Sequence, residues 1–217
     1  MSYDVIPYLG VLLRAAVTTL WISWVALLLG AVVGGLVGMA RTARWRLLRL
    51  AALIYTETFR SIPILILMFF CYFGLPLLTG HDLSPFAAAT LALMLEASAL
   101  MSEVVRAGIE SVGHGQWQAA YASGMRYWSA MRHVIGPQAI RVVLPPSVGV
   151  YIATLKDSSL ASIIGYLELT KTGLLVRDST GDSFLVFLIV SVLYFIINYA
   201  ISLAGGLLER KFSFAHH

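Results

Sequence analysis

The sequence has little charge and a single cysteine. Of its 217 residues, 12% are Asp, Glu, Lys or Arg, about half the share in a typical soluble domain, whereas 59% are hydrophobic and the mean hydropathy is +0.84. The lone cysteine, Cys71, excludes an intramolecular disulfide and a zinc site made of several cysteines. This composition indicates that lipid, not water, surrounds most of the surface.

Several catalytic motifs are also missing. The sequence has no G-x-x-x-x-G-K-[ST] loop for nucleotide phosphates, no H-E-x-x-H pair for zinc and no G-x-S-x-G nucleophile turn. His81, His114 and His133 are scattered among predicted loops. These absences argue against a membrane-embedded enzyme and against a chain that binds ATP by itself.

Five apolar stretches are long enough to cross a bilayer, which takes roughly 20 residues in a helix. Two of them contain no charged residue, and the other three are interrupted by charges or by proline. We therefore expect an all-α integral membrane protein that forms one transmembrane domain over residues 1–217. The predicted spans are 18–40, 47–78, 86–105, 142–164 and 184–208.

Three glycines in the first span, Gly30, Gly34 and Gly38, recur at every fourth position. A face of small residues lets a second helix approach closely. Glycine is also common in membrane helices without that role, so the sequence leaves both interpretations open.

Arginine and lysine are distributed unequally between the two sides of the predicted spans. The positive-inside rule places the N-terminus outside and the C-terminus in the cytoplasm, and an odd number of spans requires the same split. The basic residues of the predicted cytoplasmic side are Arg41, Arg44, Arg46, Arg49, Arg106, Arg126, Arg132, Arg141, Arg210 and Lys211.

Several ionisable residues fall inside or next to the predicted spans, where burying a charge costs about 2.5–3.5 kcal/mol. Such groups pair with each other, or face a protein interior or a water-filled cavity. Two i,i+3 pairs, Glu57 with Arg60 and Glu103 with Arg106, have the spacing to neutralise each other on one helix face. The remaining members of this set are Glu96, Lys156 and Asp157.

Two polar interruptions predict broken helices. Pro63 removes a helical hydrogen bond and pushes Ile62 towards an extended conformation. The polar run 156–159 cannot face one side of a straight helix, so we expect the helix to open there and to line a cavity. Broken helices at mid-membrane depth are typical of solute sites, and side chains of both signs suit a zwitterionic solute.

The loop between the third and fourth spans contains a predicted short helix, 116–123, which Gly124 ends. Trp117, Ala120 and Tyr121 share one apolar edge with Gly124 at helical spacing. Such a helix either docks into a groove of a partner or lies on the membrane surface, and its periodicity allows both.

The same loop resembles a known signature. Gln118-Ala119-Ala120, then Gly124, then Ile135-x-Pro137 is similar to the EAA…G…I-x-LP motif of permease subunits in ATP-binding-cassette importers. Segments elsewhere look like the polar amino acid uptake branch of that family, and together the similarity covers nearly the whole chain. These segments are 57–63, 102–109, 137–146 and 155–160.

Three positions depart from the family pattern. Gln118 replaces the acidic residue of the motif, which removes a charge that would face a basic partner residue. Gly136 stands before Pro137 in place of leucine. Glu96 stands where the family more often has an uncharged residue, which suggests a role in substrate choice.

The resemblance implies a subunit of a complex in a bacterial inner membrane. A second permease chain, identical or different, would pack against this one, ATPase subunits would bind ATP and magnesium, and an extracytoplasmic binding protein would deliver a polar amino acid. The chain itself would hold no cofactor and no metal. An ion-coupled secondary transporter is the alternative.

The resemblance and the charges together define two sets of candidate residues. The ATPase-coupling candidates are Gln118, Ala119, Ala120, Gly124, Ile135 and Pro137. The substrate-binding candidates are Glu57, Arg60, Glu96, Glu103, Lys156, Asp157, Ser158 and Ser159.

Overall fold

The computed structural model describes residues 5–213, which form helices and no β-strand within that range. A short 3-10 turn, Ile6–Tyr8, precedes the first helix. The helices are α1 (Leu9–Arg41), α2 (Arg46–Ser61), α3 (Ile64–Thr79), α4 (Pro85–Glu110), α5 (His114–Ala122), α6 (Tyr127–Ser162), α7 (Leu169–Thr180) and α8 (Ser183–Ser213).

Four of these helices, α1, α4, α6 and α8, are each long and apolar enough to cross a membrane. The pair α2 and α3 passes the same test only jointly, and its two halves are bent by 100°. The described residues thus contain four candidate spans, or five if the bent pair counts as one. The predicted all-helical membrane architecture is confirmed.

The helices extend beyond the stretches from which the spans were predicted. The first predicted span, 18–40, lies within α1, which begins at Leu9. The fourth, 142–164, covers only the later part of α6, and its last two residues lie beyond the end of that helix. Hydropathy detects the apolar part of a helix, whereas backbone hydrogen bonding continues into the polar segments on either side.

The glycine face of α1 packs against α4, which runs beside it in the same direction. A Cβ atom at Gly30 would lie 2.9 Å from the Cβ of Ala97, and one at Gly38 would lie 2.8 Å from the carbonyl oxygen of Ser102. A Cβ atom at Gly34 would overlap the backbone of α4. The small-residue packing face is therefore confirmed, because no side chain fits between the two helices.

The break between α2 and α3 lies where the sequence predicts it. Ile62 has φ −82° and ψ 125°, and Pro63 has φ −55° and ψ 131°, so both leave the helical region. The predicted span 47–78 is therefore two helices with different directions. α3 also contains a π-helical turn, Phe70–Gly74.

α6 is continuous but changes its winding twice. A π-helical turn, Met131–Ile135, stands before Pro137, and the N–H of Gly136 donates to the carbonyl oxygen of Met131. At its other end the helix tightens into 3-10 winding from Ser158. The expectation that the run 156–159 opens the helix is wrong, since these residues keep helical backbone angles and the winding becomes tighter.

Many of the arginines lie at one end of the helix bundle, although Arg14 in the first turns of α1 and Arg177 in α7 do not. α1 and α4 end there, and α2 and α6 begin there. Arg41, Arg46, Arg49 and Arg106 line one cavity at that end. We call it the arginine-rich end, and we call the end where α3 finishes and α4 begins the opposite end.

α8 is the least covered of the candidate spans, with only 11% of its most apolar window buried inside the chain. Phe184, Phe195 and Leu207 are each more than half exposed. An apolar surface of this extent is typical of contact with lipid or with another subunit.

Candidate functional site

Glu103 of α4 is the centre of a charge cluster that joins three helices. Its Oε1 accepts hydrogen bonds from Arg41 of α1 at 2.5 Å and from Arg60 of α2 at 3.3 Å. Its Oε2 accepts one from Arg106 of the same helix at 2.8 Å. Because the Arg41 side chain is only 8% exposed, its charge depends on this carboxylate for compensation.

Two further carboxylates complete the charge cluster. Glu57 lies 3.5 Å from Arg60, and Glu110 lies 2.5 Å from Arg106. Both i,i+3 pairs that the sequence predicts are therefore present. With Glu103 and Arg41 included, three guanidinium groups balance three carboxylates.

Hydroxyl groups hold α2 against α4 next to the charge cluster. The Tyr55 hydroxyl lies 2.6 Å from the hydroxyl of Ser98, and the Thr56 hydroxyl lies 2.8 Å from that of Ser102. Thr56 and Ser102 are fully buried. These contacts fix the end of α2 so that the side chain of Arg60 reaches Glu103.

Lys156 and Ser159 belong to a different place, a cavity of about 650 Å³ between α6, α7 and α8. Glu57, Arg60 and Glu103 are not among the residues that line it. The polar residues that line it with Lys156 and Ser159 are Thr170, Tyr194, Asn198, Tyr199 and Ser202.

The other three substrate-binding candidates neither line that cavity nor join the charge cluster. Glu96 of α4 and Asp157 of α6 lie within electrostatic range of each other. Ser158 is fully buried, and its hydroxyl donates to the carbonyl oxygen of Leu155 at 2.8 Å, within α6. Three of the eight candidates therefore belong to the charge cluster and two line the cavity, so the structure does not bring all eight into one pocket.

Glu168 is a buried carboxylate that sequence reasoning did not single out. It is fully buried directly before α7, where it accepts hydrogen bonds from the backbone N–H groups of Thr170 and Lys171 at 2.8 and 2.7 Å. The Tyr194 hydroxyl donates to it at 2.9 Å. Burial raises the pKa of Glu168, although these three donors favour its ionised form. An acidic residue just before a helix was the available signal.

The short helix α5 packs on its own chain along the predicted apolar edge. Ala120 is 4% exposed, and the ring of Trp117 stacks on that of Tyr127 in α6 with centroids 5.6 Å apart. Gln116 and Gln138 add a hydrogen bond of 3.3 Å between the same two helices. Trp117 and Ala120 of this edge therefore pack within the chain, whereas Tyr121 and Gly124 of the same edge are exposed.

The six coupling candidates divide by exposure. Ala120 and Ile135 are buried inside the chain, so any part they take in coupling is through packing and not through contact with a partner. Gly124 ends α5 with φ +79°, a conformation that glycine adopts far more readily than other residues. The exposed candidates are Gln118, Ala119, Gly124 and Pro137.

Known proteins resemble this chain over almost its full length. Residues 26–214 match the family described as binding-protein-dependent transport system inner membrane component. The chain is 35% identical over 207 residues to the probable glutamine ABC transporter permease protein GlnP of Bacillus subtilis (strain 168), with 94% of each chain covered. The glutamine transport system permease protein GlnP of Escherichia coli (strain K12) gives the same identity, length and coverage.

A solved structure shares the fold. One chain of a crystal structure of an amino acid ABC transporter with histidines superposes with a TM-score of 0.89 at 30% identity, over 97% of this chain and 100% of that one. The chain belongs to the family of binding-protein-dependent transport system inner membrane components. It is a multi-pass transport component, and the resemblance seen in the loop motif is confirmed.

Proposed function

We propose that the chain is the membrane-spanning subunit of an ATP-driven importer and forms part of the path for a polar amino acid. The observation that carries this proposal is the similarity, over nearly the whole chain, to permease proteins of amino acid transporters. The ion-coupled alternative draws no support from these relatives.

The candidate substrate groups have the chemistry that an amino acid needs. Lys156 offers a cation to an α-carboxylate, and Ser159, Thr170 and Asn198, which line the same cavity, offer hydrogen-bonding groups to the rest of a polar amino acid. The cavity beside Lys156 and Ser159, about 650 Å³, lies within the range of about 300–1,000 Å³ that is usual for small-molecule sites. We favour that cavity as the first place to look for the substrate.

The proposed complex contains a second permease chain, two ATPase subunits and an extracytoplasmic binding protein. ATP and magnesium would be bound by the ATPase, because this chain has no phosphate-binding loop. The exposed face of α5, with Gln118 and Ala119, would meet the ATPase. The arginine-rich end, with α5 and the C-terminus, would then lie in the cytoplasm and the N-terminus outside.

The proposed mechanism is alternating access. ATP would close the ATPase pair and move α5, and the stacking of Trp117 on Tyr127 would pass that motion to α6. α6 is one continuous helix up to Ser162, so a rotation at its start reaches Lys156 and Ser159. Hydrolysis of ATP would return both helices to their starting positions.

The test is to purify the chain from its native membrane in mild detergent and to identify the proteins that remain bound by mass spectrometry. A P-loop ATPase in a one-to-one ratio with total permease supports the proposal and shows whether the second permease is different. Heating the complex and analysing what it releases identifies the bound amino acid. The chain alone, folded and binding amino acid, would overturn the proposal in favour of the ion-coupled transporter.

A further inference from the structure

The arginine-rich end contains a basic cavity of about 440 Å³ that the transport function does not use. Four arginines line it: Arg41 from the end of α1, Arg46 and Arg49 from the first turns of α2, and Arg106 from α4. Leu50, Leu53 and Glu110 complete the lining. Arg41 and Arg106 are compensated by Glu103 and Glu110, so the excess positive charge of the cavity comes from Arg46 and Arg49.

The four arginines are not equally committed to other partners. Arg41 and Arg106 bind Glu103, and Arg106 also binds Glu110. Among residues 5–213, Arg46 and Arg49 form no ion pair, and both are exposed. Their positive charge therefore remains available to an anion from outside the chain.

An apolar cavity begins beside this charge. It measures about 450 Å³, and its lining, which includes Met39, Val105 and Ile109, is almost entirely hydrocarbon and thioether. A third cavity of about 370 Å³ lies against residues of both, since Arg41 and Arg49 line it and the basic cavity, and Ile109 lines it and the apolar cavity. The basic and the apolar cavity thus lie close together at the arginine-rich end.

We infer that this combination is a binding site for an anionic phospholipid. The guanidinium groups of Arg46 and Arg49 bind the headgroup phosphate, for which arginine has matching bidentate geometry. One acyl chain enters the apolar cavity beside Met39 and Val105. A free inorganic phosphate would satisfy the arginines but would leave the apolar cavity without a role, so the adjacency of the two cavities favours a lipid.

The test uses the purified transporter complex in mixed micelles of phosphatidylglycerol and phosphatidylcholine at equal concentration, with native mass spectrometry to count the lipids retained. The wild-type complex is expected to retain phosphatidylglycerol at least tenfold in preference to phosphatidylcholine. The double variant Arg46→Gln with Arg49→Gln is expected to lose that preference. Equal retention of the two lipids by the wild-type complex would overturn the inference.

The matched control is the double variant Arg126→Gln with Arg132→Gln, which removes the same charge from other exposed positions of the chain. It is expected to retain the wild-type preference. If both double variants lose phosphatidylglycerol equally, attraction to general surface charge explains the result and the site does not exist. Because Arg46 and Arg49 form no ion pair in the described residues, the fold is expected to tolerate their replacement, which a thermal melt of each complex checks.

Two competitors separate the lipid from a free anion. Dihexanoyl phosphatidylglycerol has the same headgroup but chains too short to fill the apolar cavity. As a competitor for the bound lipid it is therefore expected to be at least tenfold weaker than long-chain phosphatidylglycerol. Inorganic phosphate is expected to displace it only weakly. Full displacement by millimolar inorganic phosphate would identify the site as an anion site and would contradict the lipid assignment, while leaving the transport function untouched.

Discussion

Glu103 connects α1, α2 and α4 through one carboxylate group. Its partner Arg41 has almost no access to water, whereas Arg60 is partly exposed. Loss of the Glu103 carboxylate is therefore more costly for Arg41 than for Arg60, because water can replace the lost partner of an exposed arginine but not that of a buried one.

Replacing Glu103 by Gln is expected to destabilise the chain by about 3 kcal/mol, since it leaves the buried Arg41 charge uncompensated. The measurement is the shift of the thermal unfolding midpoint of the purified complex in detergent. The control is Glu57→Gln, whose side chain is 54% exposed and whose loss is expected to cost no more than about 1 kcal/mol. Equal shifts of the unfolding midpoint in the two variants would show that the buried pair of Glu103 with Arg41 contributes no more to stability than the exposed pair of Glu57.

Glu168 is expected to make stability depend on pH. Burial raises its pKa, so the folded chain keeps a proton there at pH values where the unfolded chain has lost it. This contribution is complete below the ordinary glutamate pKa and is lost as the pH rises through the raised value. The wild-type unfolding midpoint should therefore fall more steeply than that of Glu168→Gln as the pH rises above the ordinary glutamate pKa of about 4.3. Parallel curves would contradict this.

The sequence identifies many of these charged residues, but only those partners that lie on the same helix. Glu57 with Arg60 and Glu103 with Arg106 are predicted because helical spacing alone brings them together. The pair Arg41 and Glu103 spans 62 positions and depends on how α1 packs on α4, which periodicity does not encode. Glu168 is missed because its burial results from α7 and α8 closing over it.

α1 and α4 pack so closely at Gly34 that their backbones are in contact. A side chain at Gly34 would overlap α4, whereas a Cβ atom at the neighbouring Gly35 meets nothing within 4 Å. Gly34→Ala is expected to lower stability by about 2 kcal/mol through overpacking, and Gly35→Ala is expected to leave it unchanged or slightly higher. Thermal melts of the two variants test this, and equal effects would show that the helices separate easily.

Gly124 ends α5 in a left-handed conformation, with open space around its Cα atom. Gly124→Asp is therefore expected to strain the turn after α5 without a steric clash, and to abolish substrate-stimulated ATP hydrolysis by the complex while the chain still reaches the membrane. Gly115→Asp is the control, because that glycine lies within α5, has no crowded neighbours and lacks positive φ. Normal stimulation in the Gly124 variant would remove this residue from coupling.

Local chemistry predicts some elements well and others poorly. The break at Pro63 and the end of α5 at Gly124 follow from residues that restrict or release the backbone. The 100° angle between α2 and α3 and the π turn of α6 do not follow, because they depend on which neighbours the two segments contact. Helical spacing predicts the apolar edge of α5, but it does not predict that Trp117 and Ala120 pack within the same chain.

The orientation of the whole bundle is open to direct measurement. In a Cys71→Ala background, Asp82→Cys and Trp45→Cys each place one thiol at an exposed position at opposite ends of the bundle. A membrane-impermeant maleimide is expected to label the Asp82 variant in spheroplasts and the Trp45 variant only after permeabilisation. The reverse pattern would place the arginine-rich end outside and would contradict both the orientation and the docking of α5 on a cytoplasmic ATPase.

The extra residue in the π turn sets the phase of α6. A regular α-helix advances by about 100° per residue, so one inserted residue rotates everything before the turn by that angle relative to everything after it. Tyr127, which meets Trp117, stands on one side of Met131–Ile135, and Lys156 stands on the other. The number of residues between the two faces therefore sets how the face towards α5 is oriented relative to the face towards the large cavity. One residue inserted in the regular part of α6 would turn one of these faces about 100° away from its neighbour while leaving the composition almost unaltered.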